Sequence, residues 1–264
     1  MDLELEGRRA LVTASSAGIG AAVADRLARE GCAVLVHGRH PDRAERVAGE
    51  LRRHGVPTDV VLGDLADDSA AEHVAGVARE WGPDILVNNA GPFAERGWDE
   101  TDAQTWRDTY EANVVSAVRL IRELTPGMAE RGWGRVINVG TRGVRAPLPN
   151  MVDYSAAKAA LVNLTVSLAQ HLSGTGVTAN TVSPGVILTD GVRRMIEARR
   201  DGGGAAVDQA EEERRFVDDY APNPTGRLGT GRDIAAVVAF LASPSADYVN
   251  GVNLPVDGGI SGIA

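Results

Sequence analysis

The chain alternates short apolar runs with longer segments of helical periodicity, and this alternation limits its fold more than any other feature. Parallel strands need such long crossovers, because a tight hairpin joins only antiparallel strands. Seven such runs therefore predict an α/β fold with a doubly wound, seven-stranded parallel sheet. The runs lie at residues 9–13, 32–36, 58–62, 84–88, 135–139, 177–182 and 252–256.

Between the runs, apolar residues recur at helical spacing, which predicts helices packed against the sheet. These segments lie at residues 21–30, 42–54, 69–81, 103–130, 154–172 and 231–242. The fourth is predicted to break near Pro126-Gly127, because proline removes a helical hydrogen bond. Residues 190–220 are charged and interrupted by glycine, and predict helical pieces of a substrate lid at about 190–225. A single domain is expected to span residues 1–264.

Composition excludes several classes of partner. The 264 residues carry a net charge of −9, which argues against nucleic acid or an anionic membrane as the main partner. The single Cys32 excludes an intramolecular disulfide and a multi-cysteine zinc site, and no metal site is predicted. No apolar run is long enough to span a bilayer, and the acidic start of the chain does not resemble a signal peptide. A cytoplasmic protein is therefore expected.

A turn that contains glycine follows the first predicted strand and opens the first predicted helix. It reads Ala14-Ser15-Ser16-Ala17-Gly18-Ile19-Gly20. Such turns hold phosphate, because glycine lets the backbone approach closely and a helix N-terminus offers unpaired N–H groups. We predict that Ser15, Ser16, Gly18, Ile19 and Gly20 contact the phosphates of a dinucleotide. An ordinary strand–helix loop is the alternative.

The second predicted strand ends in His37-Gly38-Arg39-His40, without a carboxylate. In sites that prefer NAD, an acidic residue at this place bonds the ribose 2′-hydroxyl, whereas an arginine accommodates the 2′-phosphate of NADP. The planar guanidinium of Arg39 suits a phosphate. We therefore predict NADP(H) as the preferred cofactor. NAD(H) is the alternative if Arg39 is a solvated loop residue.

Polar residues also end the third and fourth predicted strands. Asp64, followed by Leu65, is placed to accept a hydrogen bond from an adenine amino group, or alternatively to cap the next helix. After Asn88, the segment Asn89-Ala90-Gly91 is placed beside a ribose, although a plain turn also favours Asn and Gly. Because the carboxyl ends of parallel strands share one edge of the sheet, these residues are expected to line one cofactor site.

Tyr154 and Lys158 stand four residues apart in a predicted helix, so their side chains share one face. A nearby cation favours the phenolate, so Lys158 is predicted to lower the pKa of Tyr154 from its usual value of about 10. A tyrosine tuned in this way can exchange a proton near neutral pH. Chance is the alternative, because this spacing is common on helices.

Together these residues resemble the classical short-chain dehydrogenases/reductases, over residues 9–259. The motifs that occur in the family's order and spacing are Thr13-(x)4-Gly18-Ile19-Gly20, Asp64-Leu65, Asn88-Asn89-Ala90-Gly91, Asn113, Tyr154-(x)3-Lys158, Ser183-Pro184-Gly185 and Asp257-Gly258-Gly259. The run from Arg227-Leu228-Gly229 to Phe240-Leu241-Ala242-Ser243 is similar to the family's 3-oxoacyl-carrier-protein-reductase-like branch.

The resemblance implies a Rossmann fold, a nicotinamide cofactor and roles for single residues. Tyr154 would protonate the carbonyl oxygen of a substrate, and Lys158 would bond the nicotinamide ribose. Asn113 would hold a water in a proton relay, and Thr141 would orient the substrate. The nicotinamide end would contact Pro184, Gly185, Ile187 and Thr189. An NADP(H)-dependent carbonyl reductase or alcohol dehydrogenase is the activity implied, and an NAD-linked enzyme is the alternative.

Two positions depart from the family pattern. Ala14 stands where the family usually has glycine, which predicts weaker or reshaped phosphate binding. Thr141 stands where the family has the serine that orients the substrate. Threonine keeps the hydroxyl donor but is stiff at χ1 and adds a methyl group. A catalytically weakened cofactor-binding or sensing relative is therefore a second alternative.

A small-molecule carbonyl compound is the expected substrate, held between residues 91–98, residues 141–152 and the lid. The apolar walls are expected from Phe93, Trp98, Val144, Leu148 and Met151. The nearby cations are Arg142, Arg145, Arg193 and Arg194. They predict either an anionic or carrier-bound substrate, or pairing with lid carboxylates at residues 211–213. Carrier-protein reductases commonly have a basic residue where this chain has Thr175, which argues against a carrier.

The resemblance also implies a homotetramer or homodimer formed through the two long helices at residues 103–130 and 154–172. The second of these is apolar on more than one face. A helix that is apolar all round should be buried on all sides. Its outer face is therefore expected to meet another subunit.

Overall fold

The computed structural model describes residues 2–198 and 208–262. Its strands are β1 (Arg9–Val12), β2 (Ala33–Gly38), β3 (Thr58–Leu62), β4 (Ile85–Asn88), β5 (Gly134–Val139), β6 (Val177–Pro184) and β7 (Asn253–Val256). All pair in parallel, in the order β3-β2-β1-β4-β5-β6-β7. The predicted doubly wound, seven-stranded sheet is confirmed.

Helices connect the strands on both faces of the sheet. They are α1 (Gly18–Arg29), α2 (Pro41–Arg52), α3 (Asp68–Trp81), α4 (Ala103–Tyr110), α5 (Ser116–Glu130), α6 (Val152–His171), α7 (Asp190–Ala198), α8 (Gln209–Tyr220) and α9 (Gly231–Ala242). Side chains satisfy some of the orphan N–H groups at their starts: Asp67 caps α3, and Thr230 with Asp233 forms a capping box on α9. Among the described residues, no helix combines the length and apolar character needed to cross a membrane.

The predicted break in the fourth helical segment lies elsewhere than at Pro126-Gly127. Helix α5 continues through Pro126, and a π-helical turn at Glu111–Val115 separates it from α4. The Asn113 Nδ2 donates to the Thr109 carbonyl at 3.0 Å, which is the acceptor that the Asn113 N–H would use in an α-helix. This competition explains the widened turn. Turns of this kind often occur at functional sites.

Two apolar clusters fill the opposite faces of the sheet. One packs α1 and α9 against the sheet through residues such as Leu27 and Val238. The other uses α5 and α6, with Leu120 and Leu161 completely enclosed. On the outer side of α6, by contrast, Val166 is 40% exposed. The helix is thus not buried all round within a single chain.

The predicted lid contains α7 and α8, which pack on each other around a small apolar cluster. The cluster comprises Val192, Ile196, Phe216, Val217, Ala221 and Leu228. Residues 199–207, with the glycine run at 202–204 on which the lid prediction partly rested, lie outside the described residues. The described part therefore has a core of its own, next to the carboxyl ends of the strands.

Candidate active site

A cavity of about 400 Å³ opens beside the carboxyl ends of β1, β4, β5 and β6. It lies where connections leave β1 and β4 in opposite directions, the usual ligand crevice of such sheets. The predicted site residues that line it are Gly18, Ile19, Asn89, Gly91, Thr141, Tyr154, Lys158, Pro184, Gly185, Ile187 and Thr189. The structure therefore brings the predicted phosphate turn together with Thr141, Tyr154 and Lys158 in one continuous cavity.

The turn after β1 is held in a left-handed conformation at Ala14, whose φ is 50°. This conformation costs a non-glycine residue about 1–2 kcal/mol. His37, at the end of β2, stabilises the turn from beneath: its Nδ1 accepts from the Ala14 N–H at 2.9 Å, and its carbonyl accepts from the Ser15 N–H at 2.8 Å. The departure at Ala14 is thus accommodated without loss of the turn.

Ser15 does not face the cavity as predicted. It is fully buried, and its hydroxyl accepts from the His37 N–H at 3.0 Å, so its side chain supports the turn from inside the protein. The buried His37 ring also bonds the Gly63 carbonyl through Nε2 at 3.1 Å. Burial lowers the pKa of His37 to about 4, so the ring is neutral and its Nδ1 can accept from Ala14.

The start of α1 fits a phosphate group. Its N-cap Ala17 provides no side-chain cap, and its first turn contains no acidic residue. Its N–H groups are therefore available to an anion. A Cβ on Gly20 would lie 2.5 Å from the Ala14 carbonyl, so only glycine allows the helix to approach the turn this closely. Thr189, from the loop after β6, closes over Gly18 on the other side.

Surface charges lie at the carboxyl ends of β2 and β3, outside the residues that line the cavity. The Arg39 guanidinium pairs with Asp64 at 3.0 Å, and both side chains are well exposed. The Ala66 N–H and this guanidinium hold the pKa of Asp64 below its usual value, although burial acts in the opposite direction. Asp64 was alternatively predicted to cap the next helix, but Asp67 caps that helix instead. Arg39 is thus already partnered, and it is not among the residues that line the cavity.

Arg43, in the first turn of α2, was missed by the sequence reasoning. It lines the cavity, and it forms no ion pair within the described ranges of the chain. Its signal in the sequence is a second arginine just after Arg39, at the start of the helix that follows β2. Arg43 is therefore a further candidate for binding a 2′-phosphate.

The ends of β1 and β4 are locked together by side chains. The Thr13 hydroxyl accepts from the Asn89 and Ala90 N–H groups at 2.9 and 2.8 Å. The Asn89 Nδ2 returns a hydrogen bond to the Thr13 carbonyl at 2.9 Å. Leu65 lies in the apolar core, so the Asp64-Leu65 motif anchors the neighbouring loop through its apolar member.

A chain of buried polar side chains, also missed, crosses the sheet beneath the site. Asn88 donates to Asn138 at 2.9 Å, in register across β4 and β5, and Asn138 donates to Thr165 on α6 at 2.8 Å. Thr181 on β6 donates to the same Thr165 hydroxyl at 2.9 Å. These contacts orient α6, and therefore Tyr154 and Lys158, on the sheet.

Tyr154 and Lys158 share one face of α6, but their electrostatic relation differs from the prediction. The Lys158 Nζ donates to the Val139 carbonyl at 3.0 Å and lies 5.8 Å from the centre of the Tyr154 ring. Burial raises the pKa of Tyr154 to about 12, while hydrogen bonding with Thr141 acts in the opposite direction. Burial lowers the pKa of Lys158 to about 8. The predicted lowering of the Tyr154 pKa by Lys158 is therefore wrong for this structure.

Asn113 and Lys158 meet at Gly91. A Cβ on Gly91 would lie 2.5 Å from the Asn113 Oδ1 and 2.6 Å from the Lys158 Nζ. The Asn113 Nδ2 donates to the Pro92 and Thr109 carbonyls, whereas its buried Oδ1 has no partner in the described structure. An acceptor and a cationic donor thus face one small space, which suits a bridging water.

The ion pair between Arg96 and the buried Asp153, which immediately precedes Tyr154, was also not predicted from the sequence. Asp153 is 1% exposed, accepts from Arg96 at 2.8 Å and accepts from the Thr109 hydroxyl at 2.6 Å. It ties the start of α6 to the loop after β4 and to α4. The Thr109 carbonyl in turn accepts from Asn113, so the pair supports two predicted catalytic residues.

The predicted pocket walls are only partly correct. Phe93, Leu148 and Met151 line the cavity, together with Tyr220 of α8. Trp98 is instead 72% exposed and packs against Trp106, and Val144 is not among the lining residues. Of the four predicted cations, Arg142 and Arg194 line the cavity, Arg193 pairs with Glu213, and Arg145 is exposed outside it.

The fold and this cavity define a dinucleotide-dependent oxidoreductase, and comparisons with known proteins agree. The family model described as enoyl-(acyl carrier protein) reductase matches residues 13–261. The chain is 36% identical over 260 residues to the 3-oxoacyl-[acyl-carrier-protein] reductase FabG of Pseudomonas aeruginosa, covering 98% of this chain and 99% of that protein.

Two solved structures are also similar. L-Sorbose reductase from Gluconobacter frateurii, complexed with NADPH and L-sorbose, is 32% identical, with a TM-score of 0.93 and 100% of both chains covered. A putative NAD(P) dependent gluconate 5-dehydrogenase from Beutenbergia cavernae, with NADP bound at low occupancy, is 34% identical, with a TM-score of 0.87 and 98% and 99% of the two chains covered. The chain belongs to the classical short-chain dehydrogenase/reductase family and is an NAD(P)-dependent oxidoreductase.

Proposed function

We propose that the protein is an NADP(H)-dependent ketone reductase, or secondary alcohol dehydrogenase in the reverse direction, with Tyr154 as general acid and base. The convergence of Thr141, Tyr154, Lys158 and Asn113 at one end of a single cavity carries this proposal. When bound, the nicotinamide ring supplies the hydride to the substrate carbon. Tyr154 gives its proton to the substrate oxygen, and the product is a secondary alcohol.

The residues of the chain prepare this proton transfer. A Tyr154 pKa of about 12 keeps the phenol protonated at neutral pH, as an acid must be. Lys158, with a pKa of about 8, remains mostly ammonium and offers a positive charge beside the phenol. Water in the space between Lys158 and the Asn113 Oδ1 would return a proton to Tyr154. The Thr141 hydroxyl holds the carbonyl oxygen.

Support for NADP(H) comes from Arg43 in the cavity lining, from Arg39 at the end of β2, and from the relatives that bind NADP or NADPH. The pairing of Arg39 with Asp64 is the observation that favours the NAD(H) alternative, because a carboxylate there can also meet a ribose hydroxyl. Relatives named for sorbose, gluconate and a carrier-bound acyl group support a small-molecule carbonyl substrate, either anionic or neutral, or one bound to a carrier.

Turnover of a ketone panel with NADPH by wild type and Tyr154→Phe tests the proposal. We expect kcat to fall by about 10²–10⁴-fold, since the variant lacks the transferable proton. Tyr248→Phe is the matched control, because Tyr248 is completely exposed. Binding of NADPH, followed by its fluorescence, should be equal in all three proteins. Equal turnover by wild type and Tyr154→Phe would rule out the role of Tyr154.

A catalytically weakened cofactor-binding protein is the second candidate. Its motive is the strained Ala14 together with threonine at position 141. Calorimetric binding of NADPH without turnover of any ketone, unchanged in Thr141→Ser, would favour it over the reductase. Recovery of turnover in Thr141→Ser would instead identify the threonine as the cause of weak activity.

A homotetramer or homodimer through α5 and α6 is part of the proposal. The outer side of α6 carries the exposed Val166. Burying this side chain against a second copy would remove apolar surface from water. Light scattering of the purified protein tests the assembly, and a monomer at micromolar concentration would contradict it.

A further inference from the structure

One cation at the substrate end of the cavity, Arg142, has no hydrogen-bond or ion-pair partner among the described residues. Arg142 follows Thr141 directly and lines the same cavity as Tyr154 and Tyr220. Its side chain is about half-buried, and burial lowers its pKa, with Tyr220 and Asp257 acting in the opposite direction. Within residues 2–198 and 208–262, its guanidinium makes no hydrogen bond or ion pair.

No acidic group among the described residues forms an ion pair with Arg142, although Asp257 acts on its charge. Asp257 already accepts from the Gly259 and Ser261 N–H groups at 2.9 and 3.2 Å, and also from the Ser261 hydroxyl. The Tyr220 hydroxyl donates to Glu95 at 2.8 Å. The Arg142 N–H groups are therefore available to an anion that enters the cavity.

We propose that Arg142 binds the carboxylate of a small keto acid, and so determines the substrate class of the reductase. This inference rests on the proposed function, because it assigns the reacting ketone to Tyr154 and Thr141. A carboxylate matches one guanidinium in both charge and its two-pronged geometry. A phosphate dianion fits less well than a carboxylate, because Asp190 also lines the cavity and repels two negative charges more strongly than one. An acyl thioester has no carboxylate beside its ketone, so the pairing also disfavours carrier-bound substrates.

Arg194 has a different place. It lines the cavity from the exposed side of α7, where water screens its charge. Its contribution is therefore expected to be attraction of the anion rather than a fixed contact. Arg142, on the rigid turn after β5, is the residue that can discriminate between an acid and its ester.

The test compares 4-oxopentanoate and 3-oxobutanoate with their methyl esters, which retain the ketone but lack the charge. We expect kcat/KM of the wild type to be about 10- to 100-fold higher for the acids, as for loss of one charged hydrogen bond. Arg142→Gln should lose this preference by lowering turnover of the acids only. Arg142→Lys should keep part of it, because the charge remains without the planar fork.

Arg145→Gln is the matched control, since Arg145 is exposed and does not line the cavity. It should retain the acid preference, and the KM for NADPH should be equal in all variants. Turnover of the esters equal to that of the acids in wild type would overturn the inference while leaving the reductase proposal intact. A preference for dihydroxyacetone phosphate over both acids would overturn the carboxylate assignment. Absence of turnover for acids and esters alike would instead contradict the proposed function.

Discussion

Charged groups differ in burial between two parts of the candidate site: they are buried in one and exposed in the other. At the catalytic end Lys158 and Asp153 are 2% and 1% exposed, and each is fixed by hydrogen bonds. At the carboxyl ends of β2 and β3, Arg39 and Asp64 pair on the surface, with side chains 62% and 47% exposed. Because Lys158 and Asp153 are buried, their positions depend on the fold, and the stability of the fold depends on them. Because Arg39 and Asp64 are exposed, substitutions there that alter cofactor preference should cost little stability.

The largest expected effect contrasts the two ion pairs directly. Asp153→Ala removes the partner of Arg96 inside the protein and leaves Thr109 without its acceptor. It should lower the free energy of unfolding by about 3–5 kcal/mol. Asp64→Ala breaks the exposed pair and should cost less than about 1 kcal/mol. Urea denaturation of both variants checks the contrast, and equal losses would break it.

Loss of the Thr141 hydroxyl should affect chemistry rather than stability. Thr141→Ala removes one donor to the developing charge on the substrate oxygen and should lower kcat by about 10²–10³-fold. Thr141→Ser keeps the donor and should stay within a few-fold of the wild type. Steady-state kinetics with the best ketone of the panel measures both, and a fully active alanine variant would exclude Thr141 from the reaction.

The stability of the turn after β1 should depend on pH through the buried His37 that supports it. Its pKa is lowered from 6.5 to about 4 in the folded protein, so the unfolded chain binds the extra proton first as the pH falls. Stability from this group is complete above pH 6.5 and is lost between pH 6.5 and 4, by up to about 3 kcal/mol. Urea denaturation across this range should show a smaller loss in His37→Gln than in the exposed control His73→Gln.

The smallest effect is expected from the surface arginines. Arg43→Ala should raise the KM for NADPH by about 10-fold and leave the KM for NADH unchanged, because only NADP(H) carries the 2′-phosphate. Arg39→Ala should act in the same direction but more weakly, since Asp64 competes for its guanidinium. Arg46→Ala, which lies on α2 outside the cavity lining, is the control. Equal losses for both cofactors in Arg43→Ala would contradict its assignment to the phosphate.

Much of the fold could be predicted, because its signals are local. Hydrophobic periodicity, and the turn residues that separate the periodic segments, indicate the seven strands and most helices. Because the strands are parallel, their carboxyl ends lie at one edge of the sheet. The break at Glu111–Val115 was misplaced because it depends on one side chain, Asn113, that takes a backbone acceptor. Pro126 is tolerated inside α5, although local rules favour a break there.

By itself the sequence determined the parallel sheet, the turn around Gly18 and Gly20, and the shared face of Tyr154 and Lys158, all of which follow from spacing along the chain. Only the tertiary structure decided which arginines face the cavity and that the Tyr154 pKa is raised rather than lowered. It also revealed the support from Asp153. These properties depend on burial and on contacts between residues distant in sequence, and a local sequence pattern contains no information about either.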